Sequence, residues 1–225
     1  MLTPTEKAGE FILTATNTRI KLTEWEEQDV WDTAVLPSGT LLDTSVTVEF
    51  YGGNQGNGGK KTARDTNVTK PNQLTSYNTL ICLRPFVHFE NTWGNVASPL
   101  SDIQGVLSGG FCQFEKNQKP IITGTHLYRL ASGYGLVAYG IDLADTDLPI
   151  APGGSGVAGT AAQSPLLIPF QLIDLDQFAA YLTFPGSKAG VQTNNDAPTW
   201  EAYTLQVNTS IMVAMHGFVK RPATQ

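Results

Sequence analysis

Three histidines are the first candidates for catalysis or metal binding in this sequence. His88, His126 and His216 lie on three different predicted strands, and none has a cysteine or another histidine at the spacing of a zinc site. A Ser/His/Asp triad is recognised by its geometry, so the sequence alone leaves it open. The Gly-x-Ser-x-Gly motif of hydrolases is not completed, because residues 153–157 read GGSGV. We therefore predict that the protein is not an enzyme and has no catalytic residues.

Two acidic pairs, Asp145/Asp147 and Asp174/Asp176, could contribute to an ion site. Carboxylates together with loop carbonyls bind Ca²⁺, so a structural calcium ion at Asp145 and Asp147 is one hypothesis. Acidic pairs are also common in turns, and no EF-hand pattern follows. The prediction is therefore a chain without a metal or another cofactor, with the calcium site as the alternative.

The two cysteines, Cys82 and Cys112, stand in apolar, strand-like runs. A free cysteine behaves as a small hydrophobic residue, so both are predicted to lie in the core. A disulfide between them stays open, because two positions alone do not decide it.

A glycine-rich segment at 52–62 resembles a phosphate-binding loop only superficially. A P-loop needs G-x-x-x-x-G-K-[ST] between a strand and a helix, whereas Lys60 is followed here by Lys61 and by no helical pattern. Lys60, Lys61 and Arg64 form the only local basic cluster, which we interpret as part of a solvated inter-strand loop. Since the net charge is −6 and neither end has a basic tail, strong direct nucleic-acid binding is not expected.

Length and composition predict one domain over residues 1–225, because all-β domains of about 200–250 residues are common. Charged residues make up 15% of the chain, compared with about 25% in typical soluble domains. A neutral polar surface suits a protein that packs against other chains, since buried charge is costly. A stable secreted β-protein is the alternative.

A period of two dominates the sequence and predicts an all-β fold. Residues 205–216 predict a long strand with one buried face. Residues 78–89 are apolar at both parities, with Ile81, Leu83, Val87 and Phe89 at one and Leu80, Cys82 and Phe86 at the other, which is typical of a strand covered on both sides. Further strands are predicted at 11–22 (one strand, or two with a bend at Asn17), 46–51, 110–114, 120–130, 134–143, 165–173 and 177–184. This number of strands indicates a two-sheet sandwich.

One short helix is predicted, with Ser98 as its N-cap, Pro99 as its first residue and Gly109 at its end. The stretch 176–182 fits either a short helix or a strand.

Three other segments are predicted to make contacts with neighbours. The long loops 52–64 and 145–164 are expected to touch other subunits or to form the outer surface. Residues 1–10 are expected to reach a neighbour as an extended arm. Neither a signal peptide nor a transmembrane run is recognised, which predicts a protein that is made and stays soluble in the cytoplasm, or is released from it by lysis.

Several short motifs are spread over most of the chain. They are LPSGT at 36–40, RDTN at 64–67 ahead of LICLR at 80–84, GGF at 109–111 followed by KPII at 119–122, PLLIP at 165–169 ahead of DQF at 176–178, and MHGFVKRP at 215–222. Their order resembles that of single jelly-roll capsid proteins of small tailless icosahedral bacteriophages.

The resemblance implies a jelly-roll β-sandwich with long loops and at most one or two short helices. It implies copies that assemble into trimeric or pentameric capsomers of an icosahedral shell, in the virion and, during assembly, in the host cytoplasm. The partners it implies are copies of this chain, other virion proteins and an internal membrane. The chain departs from many genome-binding shell proteins because it has no basic N-terminal arm, which argues against strong direct contact with the genome.

Two other functions stay open at this point. One is a receptor- or carbohydrate-binding β-sandwich of a virion spike or fibre, with an aromatic platform drawn from Trp25, Trp31, Trp93 and Trp200. We favour the interpretation of these tryptophans as core or interface anchors, because tryptophan is enriched there. The other is a β-sandwich hydrolase, which the missing motifs disfavour.

Overall fold

The computed structural model describes residues 2–5, 10–13, 17–21, 23–52, 61–63, 65–68, 70–74, 79–89, 100–130, 169–184 and 203–220. The described elements are β1 (Leu2–Pro4), β2 (Glu10–Leu13), β3 (Thr18–Lys21), β4 (Trp25–Leu36), β5 (Leu41–Leu42), β6 (Thr47–Phe50), β7 (Thr79–Phe89), α1 (Leu100–Gly109), β8 (Phe111–Lys116), β9 (Lys119–His126), a 3₁₀ helix (Leu127–Leu130), β10 (Phe170–Ile173), β11 (Phe178–Thr183), β12 (Tyr203–Thr204) and β13 (Thr209–Lys220).

Eight of these strands form two four-stranded sheets. The order is β10-β7-β13-β4 in the first sheet and β6-β11-β8-β9 in the second, and every pairing is antiparallel. The pairs are nested along the chain: β4 pairs with β13, β6 with β11, β7 with β10 and β8 with β9. This nesting is the jelly-roll topology. It confirms the predicted all-β sandwich, and the predicted helix is present as α1.

The core lies between the two sheets because each strand turns alternate side chains inward. From β13 the inner residues are Ile211, Val213, Met215 and Val219, and they share one buried cluster with Phe114 and Leu182 of the second sheet. The stretch 176–182, which fitted a helix or a strand in the sequence, contributes to β11. Its inner residues Phe178, Ala180 and Leu182 follow the period of a strand.

A three-stranded sheet of β1, β2 and β3 covers part of the outer face of the first sheet. Leu13 and Ile20 pack there against Trp25, Ile81 and Phe218 in a second buried cluster. The bend predicted at Asn17 is present, since Asn17 has a φ of 52° between β2 and β3. Leu2–Pro4 of the predicted arm pairs with β2 of its own chain, and its contact with a neighbour stays a prediction.

Strand β7 is covered on both faces, as predicted, but the predicted grouping of its side chains was wrong. Ile81 and Leu83 lie in the outer cluster, whereas Val87 and Phe89 pack into the inner core together with Leu80 and Cys82. The cause is a β-bulge: Arg84 pairs with His216 and Cys82 with Gly217, which leaves Leu83 as an extra residue. One extra residue reverses the parity of the strand beyond it.

Glycine is required opposite this bulge. A Cβ built on Gly217 would lie 1.9 Å from the carbonyl oxygen of Ile81 and 3.1 Å from the Cα of Cys82. These are backbone atoms of the neighbouring strand, so they have little freedom to move away. The close approach of β13 and β7 therefore depends on the missing side chain.

Two predicted strands have clearly different bounds in the structure. The strand predicted at 205–216 begins only at Thr209, because Leu205 pairs with the 39–40 turn instead. The strand predicted at 120–130 ends at His126, where the 3₁₀ helix begins. The strand predicted at 134–143 lies outside the described residues, and β4 was not predicted at all.

The substitution Gly217→Ala is expected to lower the free energy of unfolding by at least about 2 kcal/mol, because a methyl group would force two paired strands apart. Urea unfolding measures this, with Thr204→Ala on exposed β12 as a control that should stay within about 0.5 kcal/mol of the unchanged protein. Equal stability of the two variants would contradict the close approach.

Candidate functional site

The three histidines are on three strands, as predicted, and the structure does not bring them together. His88 lies on β7, and burial lowers its pKa. His126, at the end of β9, packs against Phe111 in a tilted arrangement with 3.9 Å between the ring centroids. Within the described ranges no group of three or more His, Cys, Asp or Glu side chains is placed to hold a metal ion.

Several predicted site residues lie outside the described part of the chain. They are the calcium candidates Asp145 and Asp147, the loop 145–164, residues 53–60 and 64 of the glycine-rich loop, and Trp93 and Trp200.

The basic cluster is not entirely a solvated loop, and that part of the prediction was wrong. The Lys61 side chain is only 4% exposed, and its Nζ lies 2.5 Å from Oδ2 of the buried Asp32 on β4. The backbone N–H of Tyr51 donates to the same oxygen. A buried carboxylate such as Asp32 requires a cation beside it, because an unpaired buried charge costs several kcal/mol.

The two cysteines are free and fully buried, as predicted for core residues. Burial raises the pKa of both thiols, to about 12 for Cys112. A thiol that stays protonated is a poor nucleophile, so neither cysteine has the environment of a reactive site.

The described tryptophans do not form a platform. Trp25 is 7% exposed and packs with Leu13 and Ile20 in the outer cluster. Trp31 is half-buried on β4, where its backbone N–H donates to Oδ1 of Asn67. Trp25 is therefore a core anchor.

Helix α1 is fixed to the chain before β13 by one buried carboxylate. Asp102 Oδ1 accepts from the Tyr203 hydroxyl at 2.6 Å, and its two oxygens accept the backbone N–H groups of Gln206 and Val207 at 3.0–3.1 Å. Gly105 lets the Tyr203 ring approach, since a Cβ there would lie 2.5 Å from the ring. This network organises one end of the sandwich.

A second buried carboxylate joins two turns at the opposite end. Asp176 binds Lys116 Nζ at 2.7 Å and accepts from the Ile173 N–H and from Asn117 Nδ2 at 2.9 and 2.8 Å. Asn117 in turn exchanges two hydrogen bonds with the backbone of Gln177. The β8–β9 turn and the β10–β11 turn are thereby held together.

A third turn joins this junction. The Phe178 N–H donates to the carbonyl of Asn72, whose own N–H donates to the carbonyl of Tyr51. Asn72 has a φ of 58°, a left-handed conformation that asparagine tolerates better than most residues.

A polar cleft lies where the three turns meet the outer face of the second sheet. Its volume is about 140 Å³, and we call it the amide cleft. It is lined by Asn72, Glu115, Gln118, Gln177, Phe178, Ala179 and Tyr181. Burial, together with the charges of Glu49 and Glu115, raises the pKa of Tyr181.

The amide cleft was not predicted from the sequence. The residues 117–118 between two strands are a recognisable turn signal, because asparagine accepts positive φ. Nothing in the sequence, however, indicates that this turn meets two others that are distant along the chain.

Four large apolar side chains are exposed among the described residues: Val35 (37%), Leu41 (44%), Ile173 (41%) and Leu175 (81%). Ile173 and Leu175 lie on the turn that Asp176 holds, so they are presented on a rigid segment. These side chains are candidates for contact with another molecule.

Comparisons of the chain with protein-family models, with curated proteins and with solved structures find no match. In the described ranges, no helix is long and apolar enough to cross a membrane.

Asp176 gives a pH-dependent contribution to stability. Burial raises its pKa, but the hydrogen bonds from Lys116, the Ile173 N–H and Asn117 outweigh burial, so the pKa lies below its usual range. A carboxyl group with a lowered pKa stabilises the fold above its unfolded pKa of about 3.9, and the contribution disappears as the pH falls through the folded value.

Asp176→Asn is therefore expected to lower the free energy of unfolding by about 2 kcal/mol near pH 7, and by less near pH 3. Urea titrations at both pH values measure the difference. Asp174→Asn, which alters the exposed carboxylate two residues earlier, is the matched control and should change little. A loss of the same size for both variants would contradict the role of Asp176.

His216 is expected to titrate above the usual histidine value and His88 below it. Nδ1 of His216 lies 2.7 Å from Oδ1 of Asp29 and Nε2 lies 3.1 Å from Oε1 of Glu27. The hydrogen bond to Asp29 is the largest cause of its raised pKa. A raised pKa stabilises the fold below about pH 6.5, and the contribution is lost as the pH rises through the folded value.

An NMR titration of both imidazoles measures these pKa values. Asp29→Asn should lower the pKa of His216 and leave that of His88 unchanged. A His216 pKa at or below 6.5 in the unchanged protein would contradict the pairing with Asp29.

Proposed function

We propose that this chain is a structural subunit of a viral capsid, which acts without catalysis by packing against copies of itself. The observation that carries the proposal is the nested pairing of eight strands into two sheets. Jelly rolls of this kind build capsid shells, although the same architecture also occurs in lectin domains. Because one fold serves several functions, the surface also has to support the proposal.

The exposed apolar side chains support contact between copies, because they lie at opposite ends of the sandwich. Val35 pairs with Ser210, near the start of β13. Ile173 pairs with Thr79 of β7, and Thr79 in turn pairs with Lys220 at the end of β13. Ten residues of strand separate these ends by about 33 Å. Two distant apolar patches suit a head-to-tail contact, which closes into a ring of copies when the rotation permits.

The low charge of the chain supports the same proposal. Only 15% of its residues are charged, which reduces the desolvation cost of burying surface between neighbours. The proposed partners are copies of this chain in trimers or pentamers, other virion proteins and an internal membrane. The proposed locations are the virion and the host cytoplasm during assembly. Strong nucleic-acid binding is not proposed, given a net charge of −6.

Sedimentation velocity of the full chain over a range of concentrations tests the proposal. We expect oligomers of three or five copies that grow with concentration. Leu175→Asp is expected to shift the protein towards monomer, because it puts a charge into the proposed contact.

Leu175→Met is the matched control, since it keeps the side chain apolar and should assemble normally. Both variants should unfold at the temperature of the unchanged protein, because Leu175 is 81% exposed. A protein that remains monomeric at every concentration would overturn the proposal.

A further inference from the structure

We propose that the amide cleft binds one ring of a neutral saccharide. The inference does not rest on self-assembly, although the cleft shares the β10–β11 turn with the exposed Ile173 and Leu175. It rests on the chemistry of the lining, on one buried oxygen that has no partner among the described residues, and on the way the three turns hold the cleft.

The lining matches a ligand that both donates and accepts hydrogen bonds. Asn72, Gln118 and Gln177 contribute amides, each of which has an N–H₂ donor and a carbonyl acceptor. Glu115 contributes a carboxylate, and its Oε1 accepts from Gln113 at 2.7 Å. A hydroxyl group donates to the carboxylate and exchanges hydrogen bonds with both halves of an amide.

Charge separates this ligand class from two others. Among the lining residues that the structure describes there is no lysine, arginine or histidine, and the carboxylates of Glu49 and Glu115 both act on Tyr181. An anionic ligand would be repelled by these carboxylates, and no described lining residue carries a positive charge to offset the repulsion. A metal ion or an ammonium group would use the carboxylate and the amide carbonyl oxygens, but it would leave the N–H₂ donors of the three amides unused.

Asn72 provides a specific acceptor. Its Nδ2 lies 3.5 Å from Glu49 Oε1, while its Oδ1 is buried and accepts no hydrogen bond from the residues that the structure describes. A buried oxygen without a donor costs about 1–3 kcal/mol. Asn72 also lines the cleft, so a ligand hydroxyl that reached this oxygen would supply the missing donor.

The ring of Tyr181 provides the apolar contact. Tyr181 lies between Glu49 and Gln113 across the sheet and is half-buried, so part of its ring reaches the surface. An aromatic ring with a polar end offers its face to the C–H groups of a sugar ring and its hydroxyl to the ligand's polar groups. The volume of about 140 Å³ is small beside the roughly 300–1,000 Å³ of drug-sized pockets, so it admits a single ring.

The cleft is also rigid. Gln118 and Gln177 are carried by turns that Asn117 and Asp176 connect, and Asn72 is tied to β11 through the Phe178 N–H. A ligand therefore meets groups already in position and does not have to order three separate loops, which lowers the cost of binding.

Saturation-transfer NMR on the full chain tests the proposal. The probes are the methyl glycosides of glucose, galactose, mannose and N-acetylglucosamine, with sialic acid and lysine methyl ester as the charged comparisons. CaCl₂ has no protons to observe, so its binding is measured by isothermal titration calorimetry. We expect at least one neutral glycoside to receive saturation transfer, and the charged probes to be weaker.

Two variants locate the binding, and one serves as control. Gln177→Ala removes an exposed side chain that lines the cleft, and Glu115→Gln removes the charged acceptor while keeping the shape. Each is expected to weaken binding of that glycoside about tenfold, which corresponds to one hydrogen bond of about 1.4 kcal/mol. Gln171→Ala removes an equally exposed glutamine on β10, outside the cleft, and should leave binding unchanged.

The outcomes are distinct. If no neutral glycoside binds, or if binding is the same in Gln177→Ala as in Gln171→Ala, the saccharide site is overturned. If only Ca²⁺ or lysine methyl ester binds, the cleft is a cation site and the proposal is wrong. Should Glu115→Gln fail to fold, the comparison of the two surface glutamine variants still decides the result.

Discussion

The close approach of β13 to β7 is the constraint on which the rest of this structure depends. β13 is one of the two inner strands of the first sheet, and its inward side chains supply one wall of the core. At Gly217 the backbone of β7 occupies the space where a side chain would be, and the bulge at Leu83 lies opposite this contact. The bulge turns Ile81 and Leu83 outward to meet the N-terminal sheet while Val87 and Phe89 enter the core. One glycine thus allows two apolar clusters to form on opposite faces of one sheet.

Buried carboxylates fix the parts of the chain that the core does not reach. Asp32 holds Lys61 and the backbone of Tyr51 at the edge strand β4, Asp102 holds the chain before β13, and Asp176 holds two turns together. Each accepts hydrogen bonds from groups distant along the chain, so each replaces a connection that apolar packing would otherwise have to make. Charge-assisted hydrogen bonds are stronger than neutral ones and more directional than apolar contacts. This explains how a chain with few charged residues keeps its turns in place for contact with other molecules.

Local patterns in the sequence predicted most of the strands and the one helix, because alternation and capping residues are local signals. They failed where structure depends on distant residues. β4 was missed because Asp32 interrupts the inward-facing series Val30, Ala34 and Leu36. Asp32 is accommodated there by Lys61 from a remote loop and by the Tyr51 N–H. The faces of β7 were misassigned because a bulge is set by its partner strand. The amide cleft has no sequence signature, since its walls come from three turns that meet only in the folded chain.

The proposed function depends on surfaces and not on reactive groups. The described cysteines are buried, the described histidines are separate, and the exposed apolar side chains lie at two distant ends of the sandwich. Electron microscopy of the concentrated protein is the decisive test of the proposed assembly into a closed shell. We expect closed rings or shells of uniform diameter with three- or five-fold symmetry. A uniform field of single subunits at the highest soluble concentration would contradict it.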